Sequence, residues 1–205
     1  MIKLHHLNQS RSKRIIWLLE ELGLEYQIVP YKRDSVTFLA PPELKNIHPL
    51  GKSPVIEDGE KVIAESGAIT EYLIERYGSG SLAPARDSDA YVDYLQWLHF
   101  AESSAMLPLL LKMFVSKDGA KTNFLGDYAN AECVKVLGYF DACLEGKTYL
   151  VEERLTGADI LMSFVVEIVA RFGLIERFPN IQRYASTLEG HEKHRAAEQL
   201  ERLYG

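Results

Sequence analysis

The first eighty residues alternate short apolar runs with turn-forming residues, whereas the rest of the chain carries long apolar stripes at helical spacing. Ile2–Leu7 reads as a strand. Between Ser12 and Leu22, the residues Ile15, Ile16, Leu18, Leu19 and Leu22 recur with the period of one helix face, and Gly23 supplies a C-terminal cap. Tyr26–Tyr31 reads as a second strand, so a βαβ unit with a parallel pair is predicted. Pro41-Pro42-Glu43 starts only a short helix. Pro54-Val55-Ile56-Glu57 and Lys61-Val62-Ile63-Ala64 are two further strands, joined through Asp58-Gly59, a strong hairpin signal. Glu65–Tyr77 is helical, with Ile69, Tyr72, Leu73 and Tyr77 on one stripe.

Gly78-Ser79-Gly80-Ser81 opens a linker that runs to about Arg86. No later stretch reads as a strand. Asp87–Ser116, Thr122–Glu145, Gly157–Phe172, Pro179–Leu188 and Glu192–Leu203 are amphipathic and predict a helical bundle. The fold class is therefore α/β plus all-α: a mixed four-stranded sheet with helices over residues 1–79, then an all-helical domain over 86–205. Thr156-Gly157-Ala158-Asp159 matches a capping box with Asp in place of Glu, which makes Asp159 a structural residue.

Composition narrows the classes. With 205 residues, 47% apolar and 25% charged, the chain is neither disordered nor low-complexity. The net charge of −6 argues against nucleic acid, and the acidity is uneven. Residues 1–80 hold ten basic and eleven acidic side chains, the remainder thirteen and eighteen. No window reaches eighteen uncharged apolar residues, and the N-terminus lacks a secretory pattern, so neither membrane insertion nor export is expected. Cys133 and Cys143 lie ten apart on one expected helix, about 15 Å along its axis, too far for a bridge. A cytoplasmic setting is expected.

Several chemistries find no support. There is no Cys-x-x-Cys and no Gly-x-Gly-x-x-Gly, and Gly51-Lys52-Ser53 lacks the upstream glycine of a phosphate loop. His191 and His194 share a helix face without a clustered third ligand, which reads as a solvated face, and no metal is expected. Three features remain. The turn Asn8-Gln9-Ser10-Arg11-Ser12 leads from strand to helix, where hydroxyls either cap the helix or serve a ligand. Ser53-Pro54 opens a strand at a position suited to an edge or a bend, with the cis and trans forms both open. Glu65-Ser66-Gly67 starts a helix whose free N–H groups and dipole attract an anion, while Glu65 accepts from an ammonium group. An acidic, well-capped helix start explains the same residues.

These features occur in an order that resembles the cytosolic glutathione S-transferase family over essentially the whole chain. The matching runs are Arg14-Ile15-Ile16-Trp17-Leu18-Leu19-Glu20-Glu21-Leu22-Gly23, Asn46-Ile47-His48-Pro49-Leu50-Gly51-Lys52-Ser53-Pro54-Val55 and Ala64-Glu65-Ser66-Gly67-Ala68-Ile69, with the Thr156–Asp159 box in the second half. Tyr31-Lys32-Arg33-Asp34 and Ala40-Pro41-Pro42-Glu43-Leu44-Lys45 are similar to a fungal and bacterial branch.

The resemblance implies a thioredoxin-like N-terminal domain, a helical C-terminal domain contributing the electrophile site and dimer contacts, and a homodimer. It implies a cytoplasmic detoxification transferase that activates the thiolate of glutathione, its co-substrate, for attack on hydrophobic electrophiles. A peroxidase, isomerase or dehalogenase on the same site, or a non-catalytic interaction module, are the alternatives. On this view Ser53-Pro54 is cis and Ser53 pairs by its main chain with the cysteinyl part of glutathione. Glu65 and Ser66 hold the γ-glutamyl end, and Lys52 reaches the glycyl carboxylate. The family's usual Tyr, Ser or Cys after the first strand falls on Ser10, with Ser12 as second choice and the amides of Asn8 and Gln9 as other donors. Aromatic and Met side chains between Tyr91 and Phe114 are candidates to line the electrophile site.

Overall fold

The computed structural model describes residues 1–119 and 121–204. Strands β1 (Ile2–Leu7), β2 (Tyr26–Tyr31), β3 (Val55–Asp58) and β4 (Lys61–Ala64) form one sheet in the order β2-β1-β3-β4. β1 and β2 run parallel, from Ile2 opposite Tyr26 to Leu7 opposite Tyr31. β3 is antiparallel to both neighbours, placing Leu4 opposite Ile56 and Ile56 opposite Ile63. The order puts β2 on an edge, which is why Pro30 is tolerated within it. The hairpin loop is Gly59-Glu60, one position later than the Asp58-Gly59 expected from sequence: Asp58 still pairs with Lys61, and Gly59 takes the left-handed backbone, φ 61°.

Helix α1 (Ser12–Glu21) buries Ile15, Ile16, Leu18 and Leu19 completely, together with Leu4 and Ile56 of the sheet. It ends where Gly23 adopts φ 62°, with the Leu24 N–H returning to the Leu19 carbonyl. The prolines at 41 and 42 allow only a short 3-10 helix, Pro42–Asn46. Helix α2 (Ser66–Tyr77) adds Ile69 and Leu73 to the same core.

The rest is helical: α3 (Asp89–Glu102), α4 (Met106–Asp118), α5 (Leu125–Cys143), α6 (Gly157–Arg171), α7 (Pro179–Glu189) and α8 (Glu192–Tyr204). The segment expected as one helix over Asp87–Ser116 is two. Pro108 has no N–H to offer the Ser104 carbonyl, and the Ser103 hydroxyl bonds back to the His99 carbonyl at 2.8 Å, so the ladder breaks at 103–105. An eighteen-residue window within Asp89–Asp118 reaches a mean hydropathy of 1.2, so the stretch is long and apolar enough to cross a membrane by length and composition alone. Within the bundle, however, α3 packs on α6 and α4 on α5. Tyr94, Trp97 and Met106 are core residues of that packing, whereas Met113 and Phe114 are exposed.

The chain forms two compact units, one of Met1–Leu82 with the segment from Glu189 onward, the other Ala83–Leu188. Helix α8, last in sequence, packs on α1. The helical unit is organised around α6, whose Ile160, Leu161, Met162, Val165 and Val169 are fully buried. The capping box is formed: Asp159 accepts the Thr156 N–H at 2.8 Å and the Thr156 hydroxyl at 2.9 Å. Its other oxygen accepts the Leu150 N–H at 3.0 Å and the Tyr184 hydroxyl at 2.7 Å. Burial pushes the Asp159 carboxyl up against these four donors.

Replacing Asp159 leaves the Leu150 N–H and the Tyr184 hydroxyl buried and unpaired, at about 1–3 kcal/mol each. Asp159→Ala is therefore expected to cost about 3–4 kcal/mol in denaturant unfolding, and Tyr184→Phe about 1 kcal/mol. Equal losses for the two variants would contradict the network.

Candidate functional site

Adjacent residues of β1 point to opposite faces of the sheet, so the consecutive histidines do separate work. The His5 ring lies 3.0 Å from the Tyr31 hydroxyl and 2.7 Å from the Glu57 carboxylate, tying β2, β1 and β3 together. His6 turns the other way, and its Nδ1 lies 2.7 Å from the Ser12 hydroxyl.

The chain leaves β1 through residues 8–11, and this turn is pinned from several directions. Gln9 sits in the left-handed region, φ 52°, and its N–H donates to Glu201 Oε1 of α8 at 2.8 Å. The Arg33 N–H donates to Asn8 Oδ1 at 2.9 Å, while its guanidinium donates to the carbonyls of Asn8, Gln9 and Phe38. Asn8 is therefore committed to the scaffold. Burial, with Arg11 nearby, pushes the Arg33 guanidinium down from its ordinary value.

Ser10 and Ser12 lie in series. The Ser10 hydroxyl accepts the Ser12 N–H at 3.2 Å and meets the Ser12 hydroxyl at 2.7 Å. Ser12 is fully buried, and its hydroxyl also donates to the Leu7 carbonyl at 3.2 Å. Ser10, 5% exposed, is the outer member.

The other two features reach the same end of β1. The Ser53 hydroxyl donates to the His5 carbonyl at 2.7 Å and accepts the Leu7 N–H at 3.1 Å, extending the sheet by one side chain. Its main-chain groups are then what Ser53 offers a ligand. The Ser53–Pro54 bond is cis. Lys52 beside it is exposed. Glu65 precedes α2 with φ 67°, a backbone state costing about 1–3 kcal/mol for a non-glycine residue and one that recurs at ligand sites. Ser66 is buried and accepts from Arg14 Nη2 at 2.7 Å. A buried guanidinium thus reinforces the positive end of α2, where no acidic residue follows in the first turn. The sequence marked Arg14 only as part of a family run, and neither His6 nor Glu201 was singled out. The signal for His6 and Glu201 is a contact across 195 residues, invisible to local patterns.

His191 and His194 pack against Trp17 of α1, with ring centroids 5.9 and 4.7 Å away. Among the described residues no three His, Cys, Asp or Glu side chains cluster to hold a metal. Cys133 and Cys143 on α5 are free thiols, the first buried.

Two family models match the chain: the glutathione S-transferase N-terminal domain over residues 1–75 and the glutathione S-transferase C-terminal domain over 104–192. Glutathione S-transferase 1 of Saccharomyces cerevisiae is 35% identical, the match covering 100% of this chain and 97% of that protein. Among solved structures, a glutathione S-transferase from Actinobacillus pleuropneumoniae aligns with a TM-score of 0.90 at 41% identity, covering 98% of this chain and 93% of that one. A glutathione transferase homolog from Lodderomyces elongisporus, solved with two GSH per subunit, shares the fold with a TM-score of 0.84 at 22% identity, covering 97% and 98%.

Charge is the part of this geometry that acid removes. Burial pushes the Glu201 carboxyl up, but His6, the Gln9 N–H and Lys13 outweigh it and hold the group below the usual carboxylate range. A depressed carboxyl contributes stability that is present above its unfolded value, about 4.3, and is lost as pH falls through the folded value. The stability advantage of the wild type over Glu201→Gln is therefore expected to narrow below that pH in denaturant titrations. A pH-independent gap would remove the charge from the account.

Proposed function

Because the chain belongs to the glutathione S-transferase family, we propose that it binds glutathione along the Ser53–Ser66 side of the sheet, holds its sulfur as a thiolate beside Ser10, and transfers it to a hydrophobic electrophile. The observation that carries this reading is the meeting of three sequence-distant groups at the C-terminal end of β1. The Ser10 turn follows β1 directly, Ser53 is bonded to His5 and Leu7, and Ser66 is tied to α1 through Arg14. A tripeptide with charged ends suits them. Its ammonium group pairs with Glu65, and its γ-glutamyl carboxylate meets the α2 N-terminus and Ser66. Its cysteinyl main chain pairs with Ser53, and its glycyl carboxylate pairs with Lys52.

The energetics are modest enough for one hydroxyl. A thiol with a pKa near 8.5 is about 3% ionised at pH 7, and lowering it to about 6.5 makes it roughly 75% ionised, a change worth about 2.7 kcal/mol. A charge-assisted hydrogen bond contributes about 1.5–3 kcal/mol. The Ser10 hydroxyl with the first N–H groups of α1 covers that range, and no general base is needed. The thiolate then attacks an electrophilic carbon and the leaving group departs; no metal takes part.

Ser10→Ala is expected to lower kcat for glutathione conjugation to an aryl halide about 10–100-fold, with the glutathione dissociation constant nearly unchanged. Lys52→Ala and Glu65→Ala are expected to do the reverse, weakening glutathione binding about tenfold each at little cost in kcat. Calorimetry and initial rates separate the two patterns. Absence of both binding and turnover would leave a non-catalytic module.

We also infer a cytoplasmic homodimer. Leu107, Met113 and Phe114 of α4, with Phe124 and Tyr128 at the start of α5, are exposed apolar side chains of one helix pair, a pattern typical of a covered surface. Phe114→Glu with Phe124→Glu is expected to halve the mass measured by light scattering. A wild type that is already monomeric would refute it.

A further inference from the structure

The loop that follows β2 is organised by two charged side chains and exposes three apolar ones. Asp34 gathers it from within. Its Oδ1 accepts the Val36 N–H at 3.1 Å, the Thr37 N–H at 2.6 Å and the Thr37 hydroxyl at 2.8 Å. The main chain closes the loop, since the Asp34 N–H donates to the Leu39 carbonyl at 3.0 Å and the Phe38 N–H donates to the Asp34 carbonyl at 2.9 Å. Arg33 then fastens the loop to the turn after β1. Its guanidinium donates to the Phe38 carbonyl at 3.0 Å and to the carbonyls of Asn8 at 3.1 Å and Gln9 at 3.4 Å. The Gln9 carbonyl belongs to the peptide that carries the Ser10 nitrogen. One planar group thus holds the main chain of Phe38 beside that of the Ser10 turn.

Nothing in this hydrogen bonding calls for apolar side chains in water. Yet Val36 is 84% exposed, Leu39 67% and Phe38 48%. Single exposed apolar residues are ordinary. Three within four positions of an ordered loop make a patch, and patches mark binding surfaces. Phe38 also takes a left-handed backbone, φ 63°. That state is rare for a bulky side chain, persists only where neighbours impose it, and gathers at ligand sites. Glycine would take the same backbone without strain. The ring therefore has a use that the loop itself does not supply.

We propose that Phe38 is a specificity-determining residue of the site, its ring forming an apolar wall beside the thiolate that favours aromatic electrophiles over saturated ones. The proposal rests on the reading of Ser10 given above, and it names the class of electrophile that the reading leaves open.

The selection acts on how the electrophile is held, not on the bonds that change. With an aryl or an alkyl halide alike, the thiolate sulfur forms a bond to the carbon bearing the halogen, and halide departs with the electron pair. An aromatic electrophile gains an offset or edge-on contact with the Phe38 ring that a small haloalkane cannot make. Because Arg33 holds Phe38 and Gln9 together, the wall keeps its place relative to Ser10, and a ring resting on it is kept near the sulfur. Val36 and Leu39 extend the same apolar surface without an aromatic face.

The test compares a chlorodinitrobenzene with iodoethane in initial rates at saturating glutathione, and reads the ratio of their kcat/KM values. Phe38→Gly removes the ring and relieves the left-handed backbone, so its thermal midpoint is expected to stay close to that of the wild type. Phe38→Leu keeps the apolar bulk and removes the aromatic face. In Phe38→Leu the aryl-to-alkyl ratio is expected to fall about 2–10-fold, through KM for the aryl halide, and in Phe38→Gly at least as far. Phe38→Tyr, which keeps the ring face, is expected to retain the wild-type ratio. Calorimetry is expected to give a glutathione dissociation constant within about twofold of the wild type throughout. An unchanged ratio would overturn the proposal. Equal losses on both electrophiles, or losses that follow weakened glutathione binding, would make Phe38 a scaffold residue and overturn it too. A lower mass by light scattering in Phe38→Gly would assign the patch to a second copy of the chain, with the same consequence. Ser10→Ala separates the two levels. If it slows both electrophiles while the Phe38 variants leave their ratio unchanged, the wall alone is refuted. If it slows neither, the Ser10 reading falls and the proposal with it.

Discussion

The turn between β1 and α1 is the constraint on which the site depends. It must place a hydroxyl at the start of a helix while its own main chain passes through a left-handed residue, Gln9. Such a conformation has no local support in a residue with a side chain. It persists because the charged Glu201 takes the Gln9 N–H and the half-buried Arg33 takes the neighbouring carbonyls. Charge-assisted bonds of this kind are roughly twice as strong as neutral ones, enough to offset a strained backbone. The turn is thus shaped by residues about 25 and 190 positions away rather than by its own sequence.

The two units use the same device for different ends. In the helical unit, one buried carboxylate, Asp159, gathers four donors from the start of α6, the preceding loop and α7, and the result is stability. In the first unit, Glu201 gathers an N–H and an imidazole, but its partners lead to a site at the surface. Burial pushes both carboxyls up. At Asp159 burial prevails, whereas at Glu201 the neighbouring cations and donors prevail. A carboxylate that stays ionised in a half-buried setting can order polar neighbours, as Glu201 does the Gln9 N–H.

Much of this was legible in the chain, for identifiable reasons. Periodicity located β1, α1 and α2 closely, because each buries apolar side chains in a common core, and the β-forming run Tyr26–Tyr31 marked β2 although none of its residues is fully buried. The capping box at Thr156–Asp159 is a local motif and formed as expected. The break in the α3–α4 segment was missed because two serines and a proline within an apolar stripe do not interrupt its period. The grouping of Ser53 and Ser66 with the Ser10 turn came from the order of motifs resembling a known family, not from any one motif. Ser10 and Ser12 read as alternatives in sequence, whereas three dimensions put one behind the other. His6 and Glu201 could not be seen at all. A histidine in an apolar strand and a glutamate on a charged terminal helix are each ordinary until the fold brings them within 3.0 Å.

Placing the nucleophile on the co-substrate changes what the protein must maintain. A reactive cysteine within the chain would have to be kept ionised, and so exposed to oxidation, in every molecule at all times. Here both cysteines lie on α5, and burial pushes the Cys133 thiol up, away from the reactive form. The first unit instead carries groups that are chemically inert by themselves: hydroxyls, main-chain amides, a lysine and a strained glutamate. On the proposed reading each acts only against a bound anion or ammonium group. On that reading, what has to be exact is the placement of donors and acceptors rather than the reactivity of any one side chain.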